Sequence, residues 1–184
     1  MSTLTPPSVL SPMDVERASE RDGKQYELIN GKLREKAVGF WELFIAIRIA
    51  ERLNAQFYPR EGAASVEFPV YCFTEPNHGR KPDVIFLRND RFPGNQIPAG
   101  DVHVAPDLVV EVISPANSGI ELDVKLGEYL AAGVPMVWIV NPSARTIRVY
   151  RNDATTRLFR APDVIENEPL LPGLRLTVVE VFPA

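Results

Sequence analysis

Asp83, in Lys81-Pro82-Asp83-Val84-Ile85-Phe86-Leu87, and Glu111, in Asp107-Leu108-Val109-Val110-Glu111-Val112-Ile113, each sit where a buried strand is expected. Leu108 to Ile113 is apolar without alternation apart from Glu111, the pattern of a strand covered on both faces. A carboxylate in such a strand is expensive unless a cation compensates it, and a divalent ion is a strong compensator. Phosphodiester hydrolysis uses such an ion to neutralise developing charge and to lower the pKa of the attacking water. Magnesium prefers carboxylate oxygens and keeps several waters, so two protein carboxylates suffice. Lys125 follows one helix later, and its ammonium could orient that water or stabilise charge on the phosphate. Asp83, Glu111 and Lys125 together point to a metal-dependent phosphodiesterase site.

The elements around them read as one α/β domain over residues 11–184, after a loose tail over 1–10. Ser11-Pro12 opens a helix to about Glu20, with serine as cap and proline in the first turn. Asn30-Gly31 joins two strand-like runs between Gln25 and Lys36, a strong hairpin signal. Leu43, Ile45, Ala46, Ile49, Ala50 and Leu53 recur at helical spacing between Phe40 and Gln56. Strands are expected over Ala64–Cys72, Pro82–Leu87, Leu108–Ile113, Met136–Val140 and Thr146–Arg151. A helix over Ile120–Ala132 is ended by Gly133, with Pro135 beyond it. At about 100° per residue, Lys125 lies about 60° from Leu122 around that helix, on the border of its sheet-facing side. Glu121, Asp123 and Glu128 fall on the exposed side or in the first turn, and Glu27, central in the first hairpin strand, is a further acidic candidate.

Each residue also has an ordinary reading. Asp83 after a proline can start a strand, Glu111 can be a paired structural carboxylate, and Lys125 can be a flank residue with its stem on apolar surface. Glu27 can lie on an exposed hairpin face. His78 and His103 lack metal-ligand spacing and read as surface histidines. Cys72, the single cysteine, reads as a small buried hydrophobe and excludes an internal disulfide. The 184 residues are 45% hydrophobic and 24% charged, ordinary for a globular domain. There is no apolar run of membrane-spanning length and no charged signal-peptide head, so a cytoplasmic protein without a membrane partner is expected. A net charge of −4 argues against a chain coated in basic surface. DNA contacts must then be local, and Arg145, Arg148, Arg151, Arg157 and Arg160 form such a cluster; the ordinary reading is a charged strand edge.

The joint pattern resembles the PD-(D/E)XK nuclease superfamily, in its Uma-type branch of bacterial restriction endonucleases. The resemblance runs from about Asp14 to Phe182. It rests on Tyr26-Glu27-Leu28-Ile29-Asn30-Gly31, Lys81-Pro82-Asp83-Val84, Pro106 to Pro115, Asp123-Val124-Lys125, Tyr129 to Pro135, Trp138-Ile139-Val140 and Leu171-Pro172-Gly173. It implies a restriction-endonuclease-like core, a mixed central β-sheet flanked by helices, with an N-terminal helix and β-hairpin. It also implies magnesium, with manganese as a substitute, held by Asp83, Glu111 and the backbone carbonyl of Val112. Ile113 stands where the superfamily's usual lysine would be, and Lys125 is the implied replacement. Glu27 matches the early glutamate near the metal. Many relatives carry a histidine on the long helix after the hairpin; Phe40-Trp41-Glu42-Leu43-Phe44 has none.

The leading expectation is a magnesium-dependent DNA endonuclease, with cleavage of both strands favouring a two-fold homodimer. The alternatives are a weak or inactive nucleic-acid-binding module on the same fold, and an oligomeric structural protein whose strand acids form buried ion pairs.

Overall fold

The structure, a computed structural model, describes residues 9–114 and 118–183. Most of the expected tail and Pro115 of the Ser114-Pro115 motif lie outside the described residues. Helix α1 (Pro12–Asp22) starts where Ser11-Pro12 places it and packs on the hairpin of β1 (Gln25–Ile29) and β2 (Lys32–Lys36). Asn30 and Gly31 take φ of 49° and 74°, the left-handed pair that matches a tight turn to the twist of its strands. Helix α2 (Phe40–Phe57) follows.

The centre is a six-stranded sheet, ordered β3 (Gly62–Val66), β4 (Val84–Arg88), β5 (Leu108–Val112), β6 (Met136–Asn141), β7 (Thr146–Arg151) and β8 (Thr156–Arg160). The β5–β6 pair is parallel and the other neighbours are antiparallel, so the sheet is mixed. A parallel pair needs a crossover, and helix α3 (Gly119–Ala131) supplies it. Strands β9 (Val164–Glu168) and β10 (Leu171–Thr177) form a separate antiparallel pair.

Both sheet faces are covered. Phe86, Val110 and Trp138 share one core with Ile45, Ile49 and Leu53 of α2 and with β10. Ile85, Val109 and Val137, pointing the other way, meet Tyr129 of α3 and Val134. Strand β5 is thus buried along its whole length, as its unbroken apolar run requires.

Three local expectations change. The strand expected to reach Cys72 stops at Val66, because Glu67 turns left-handed at φ 50° and Pro69 has no N–H to offer a ladder. Val70 then makes isolated bridges to Arg80 and Val102. Cys72 is half-buried. His78 is buried rather than on the surface, packed edge-on against Phe73 with Nδ1 3.2 Å from Asn30 Oδ1.

Gly62 marks how closely β3 approaches β4: a Cβ there would meet the Leu87 carbonyl oxygen and the Phe86 ring. Gly62→Ala is expected to destabilise the fold by about 1–3 kcal/mol, read as a lower denaturant midpoint at unchanged slope.

Candidate active site

Sheet register builds the acidic site. Val66 pairs with Val84, and Val84 with Val110. One residue further along, Glu67, Asp83 and Glu111 stand side by side on three adjacent chains, about 4.8 Å being the usual strand spacing. The Glu67 N–H donating to the Asp83 carbonyl at 3.2 Å continues that alignment. The row runs on through Ile139 to Arg148, which pair with Glu111 and with each other in turn.

Asp83 is fixed by its position before β4. Its Oδ2 accepts from the Val112 N–H at 2.6 Å, so the carboxylate lies along the free edge where the β4–β5 ladder ends. The Val112 carbonyl, in an extended residue, points to the same edge as its N–H. Glu111 projects from the opposite side of β5 to Val110 and Val112, towards α3. There Lys125 Nζ lies 3.2 and 3.1 Å from its two oxygens, and the Tyr129 hydroxyl donates to Oε1 at 2.7 Å. Lys125 and Tyr129 are one helical turn apart and so share a face. That face is the buried one: Lys125 is 4% exposed, deeper than a border position.

Glu27 is buried too, and not on an outward hairpin face. Leu28 and Gly79 exchange backbone hydrogen bonds of 3.0 and 2.7 Å, which docks β1 beside the Asn77–Lys81 segment. Glu27 then sits 3.3 Å from Lys125 Nζ, accepts from Arg80 Nη1 at 2.9 Å and from the Lys81 N–H at 3.2 Å. Arg80, itself buried, turns its Nε to Glu128 at 2.6 Å; Glu128, expected on the exposed side, therefore faces the His78–Arg80 segment. His78 Nε2 lies 3.4 Å from the same carboxylate oxygen. The four sequence-predicted site residues are thereby brought together, and Glu27, Asp83, Glu111 and Lys125 line one cavity of about 160 Å³, with Val112 in its wall.

Four neighbours were not anticipated: Lys36, Glu67, Arg80 and Tyr129. Lys36 Nζ lies 2.8 Å from Asp83 Oδ1, 2.9 Å from both oxygens of Glu67 and 2.6 Å from the Lys81 carbonyl. The Asn30-Gly31 turn fixes that Lys36 pairs with Gln25, but only the docking of the hairpin decides where its side chain goes. Glu67 carried one signal, a charge within an apolar stretch. The expected arginine cluster is split between the faces of β7 and β8, Arg148 and Arg160 sharing one; Arg151 is paired to Glu168 at 2.6 Å and Arg145 donates to the Pro183 carbonyl at 2.7 Å. Arg157 stacks over Phe159. Arg148 is exposed, with Nη1 3.3 Å from the Tyr150 hydroxyl, in the same cross-sheet row as Glu111.

Protonation follows from burial against charge. Burial pushes Glu111 above the usual carboxylate range, more than Lys125 draws it down. Burial would also raise Glu27, but Lys125 and Arg80 together hold it below. Burial works to lower Lys125, yet Glu111 and Glu27 keep its ammonium above the ordinary lysine value. Lys36 is raised likewise, burial being outweighed first by Asp83 and then by Glu111 and Glu67. Glu67, by burial and against the pull of Lys36, is pushed up to about 7. Burial and the neighbouring Glu111 keep the Tyr129 hydroxyl protonated, well above its ordinary range, so it serves Glu111 as a donor.

Four acids, Glu27, Glu67, Asp83 and Glu111, thus meet three cations in direct contact, Lys36, Arg80 and Lys125. The excess is acidic. Lys125→Met, which strands Glu111 and Glu27, is expected to cost about 3–5 kcal/mol of stability. Glu111→Gln relieves the excess and is expected to raise the thermal midpoint; a fall as large as that of Lys125→Met would refute this charge balance.

The fold is shared with a solved protein. The crystal structure of a "putative nuclease belonging to DUF820" from Anabaena variabilis ATCC 29413 matches with a TM-score of 0.74 at 24% identity, covering 86% of this chain and 90% of that one. At that identity the likeness establishes architecture, a mixed central sheet flanked by helices. No curated protein matches the chain. The Uma2 family, described as "Putative restriction endonuclease", matches residues 12–179, a span holding α1, the hairpin and every residue of the site. The chain belongs to the Uma2 family.

Proposed function

We propose that the protein is a divalent-metal-dependent endonuclease acting on DNA. The observation that carries this reading is the adjacency of Asp83 and Glu111 at the end of the β4–β5 ladder, opening into one cavity with Lys125 against Glu111. Membership of a family described as restriction endonucleases supports nucleic acid as the substrate class.

The donor set fits a hard ion. Two carboxylates and the Val112 carbonyl supply oxygen only, and magnesium takes few protein oxygens while retaining water. Asp83, Glu111 and Val112 would hold it; bound there, it would supply Lewis-acid activation of a water and charge neutralisation at the phosphate. The remaining groups act by position. Lys125, raised in pKa, is a cation and not a base: it donates to a water or to a phosphate oxygen and stabilises the charge that develops there. Glu27, 3.3 Å from the Lys125 ammonium, holds it together with Glu111 and is a positioning residue. Tyr129 fixes the Glu111 carboxylate by donating to it. Arg148, in the same row as Glu111, is placed to meet a backbone phosphate beyond the cavity, and a two-fold pair of chains would allow both strands to be cut.

A binding module without turnover is the second reading. Its support is the start of α2, where Phe40, Trp41 and Glu42 stand and no histidine enters the cavity wall among the described residues; Glu42 does.

Purified protein is expected to nick or linearise plasmid DNA with magnesium or manganese and to stop when EDTA removes the ion. Asp83→Ala and Glu111→Ala should abolish cleavage with the fold retained, and Lys125→Met should lower the rate at least about 100-fold, the scale of losing one charge-stabilising donor. DNA bound tightly yet left intact in every metal would establish the binding module instead. Arg148→Ala should weaken DNA binding evenly across sequences and reduce the salt slope by about one unit; an unchanged slope would remove Arg148 from the interface.

A further inference from the structure

Lys36 is surrounded as a cation is. Its ammonium has three N–H donors, but four oxygens lie within 2.9 Å: Oδ1 of Asp83, both carboxylate oxygens of Glu67 and the Lys81 carbonyl. The side chain is 10% exposed, and Asp83 and Glu67 are comparably enclosed. This is a shell of hard oxygen donors around a single positive charge, delivered on a four-carbon stem from the end of β2. Lys36 also borders the cavity that holds Glu111 and Val112. A divalent ion coordinated by Asp83 would share that carboxylate with the ammonium, and two like charges at one carboxylate repel.

We propose that Lys36 is a tethered counter-ion that holds the cation position beside Asp83 until a divalent ion takes it, so that its ammonium sets how tightly the site binds metal. The inference rests on Asp83 being a metal ligand, as proposed above. Lys36 thereby keeps Asp83 and Glu67 together without metal, and metal entry requires the ammonium to yield Oδ1 of Asp83. Glu67 and the Lys81 carbonyl can keep it nearby, because each holds the ammonium directly.

A purely structural pin makes the opposite forecast. Removing a pin would loosen Asp83 and weaken metal binding; removing a competing charge strengthens it. Manganese binding to the 184-residue chain separates the two, measured by calorimetry and by the electron paramagnetic resonance signal of free manganese, without DNA. Lys36→Met and Lys36→Gln, checked for folding by circular dichroism, are expected to bind at least about tenfold more tightly than the unmodified chain, an ammonium's repulsion in an enclosed site being large. Lys36→Arg keeps the charge and should stay as weak as the parent. Manganese should also raise the thermal midpoint of Lys36→Met more than that of the parent. Should Lys36→Met fail to fold, Lys36→Gln decides by the same measurement.

Equal or weaker binding in the neutral variants, with binding in the parent abolished by Asp83→Asn, would overturn the counter-ion role and leave the ligand assignment standing. Manganese bound by neither parent nor variants, or bound regardless of Asp83→Asn, would overturn the ligand assignment and the inference with it.

Discussion

Glu27, Asp83 and Glu111 are each buried to 6% exposure or less, with Glu67 close beside them. That concentration of carboxylate at one end of a sheet is tolerable only because Lys36, Arg80 and Lys125 are brought to it from three separate parts of the chain. The architecture is arranged around this requirement. The hairpin delivers Glu27 and Lys36, the segment after Asn77 delivers Arg80, and the crossover helix delivers Lys125 and Tyr129. Lost cations would leave buried charge without a partner, which a low-dielectric interior does not forgive. The same surplus of acid is what the proposed divalent ion would offset.

Much of this was legible because it depends on local chemistry. Asn30-Gly31 dictates a tight turn wherever it stands between strands, and Glu111 in an apolar strand declares itself as an anomaly. The periodicity of α2 matches its buried face, whereas on α3 the deepest residues are Lys125 and Tyr129. What was hidden depends on docking. Lys36 lies in the polar run Lys32-Leu33-Arg34-Glu35-Lys36, which reads as solvent-facing until the hairpin is seated on Gly79. His78 reads as a surface histidine for a similar reason, since the Phe73 ring and Asn30 that enclose it come from different segments. Glu67 was absorbed into a strand that its own left-handed backbone terminates. Arginines grouped in sequence are divided between two faces because β7 and β8 alternate their side chains, and Glu168 and Pro183 claim two of them.

Family and fold say that this is a restriction-endonuclease-like scaffold; the side chains say how this chain has used it. The position two residues after Glu111 is Ile113, and the ammonium comes instead from α3, reaching the same carboxylate from above the sheet. A lysine on a helix can be buried along its stem while its charge stays at the strand end, and this geometry also brings Tyr129 to Glu111 from the next turn. Under the proposed function, such a placement is where this chain would carry its own chemistry on a shared fold.

The parallel β5–β6 pair has a kinetic side. Because α3 is the crossover between those two strands, Glu111 and Lys125 lie 14 residues apart, whereas Lys36 and Asp83 lie 47 apart and Glu27 and Arg80 lie 53 apart. Loop closure grows costlier with length, though slowly. The crossover unit can therefore neutralise its own buried acid during folding, before the hairpin arrives. Seating the hairpin then brings in the remaining charges, and a chain made from its N-terminus carries the hairpin before the strands it docks against.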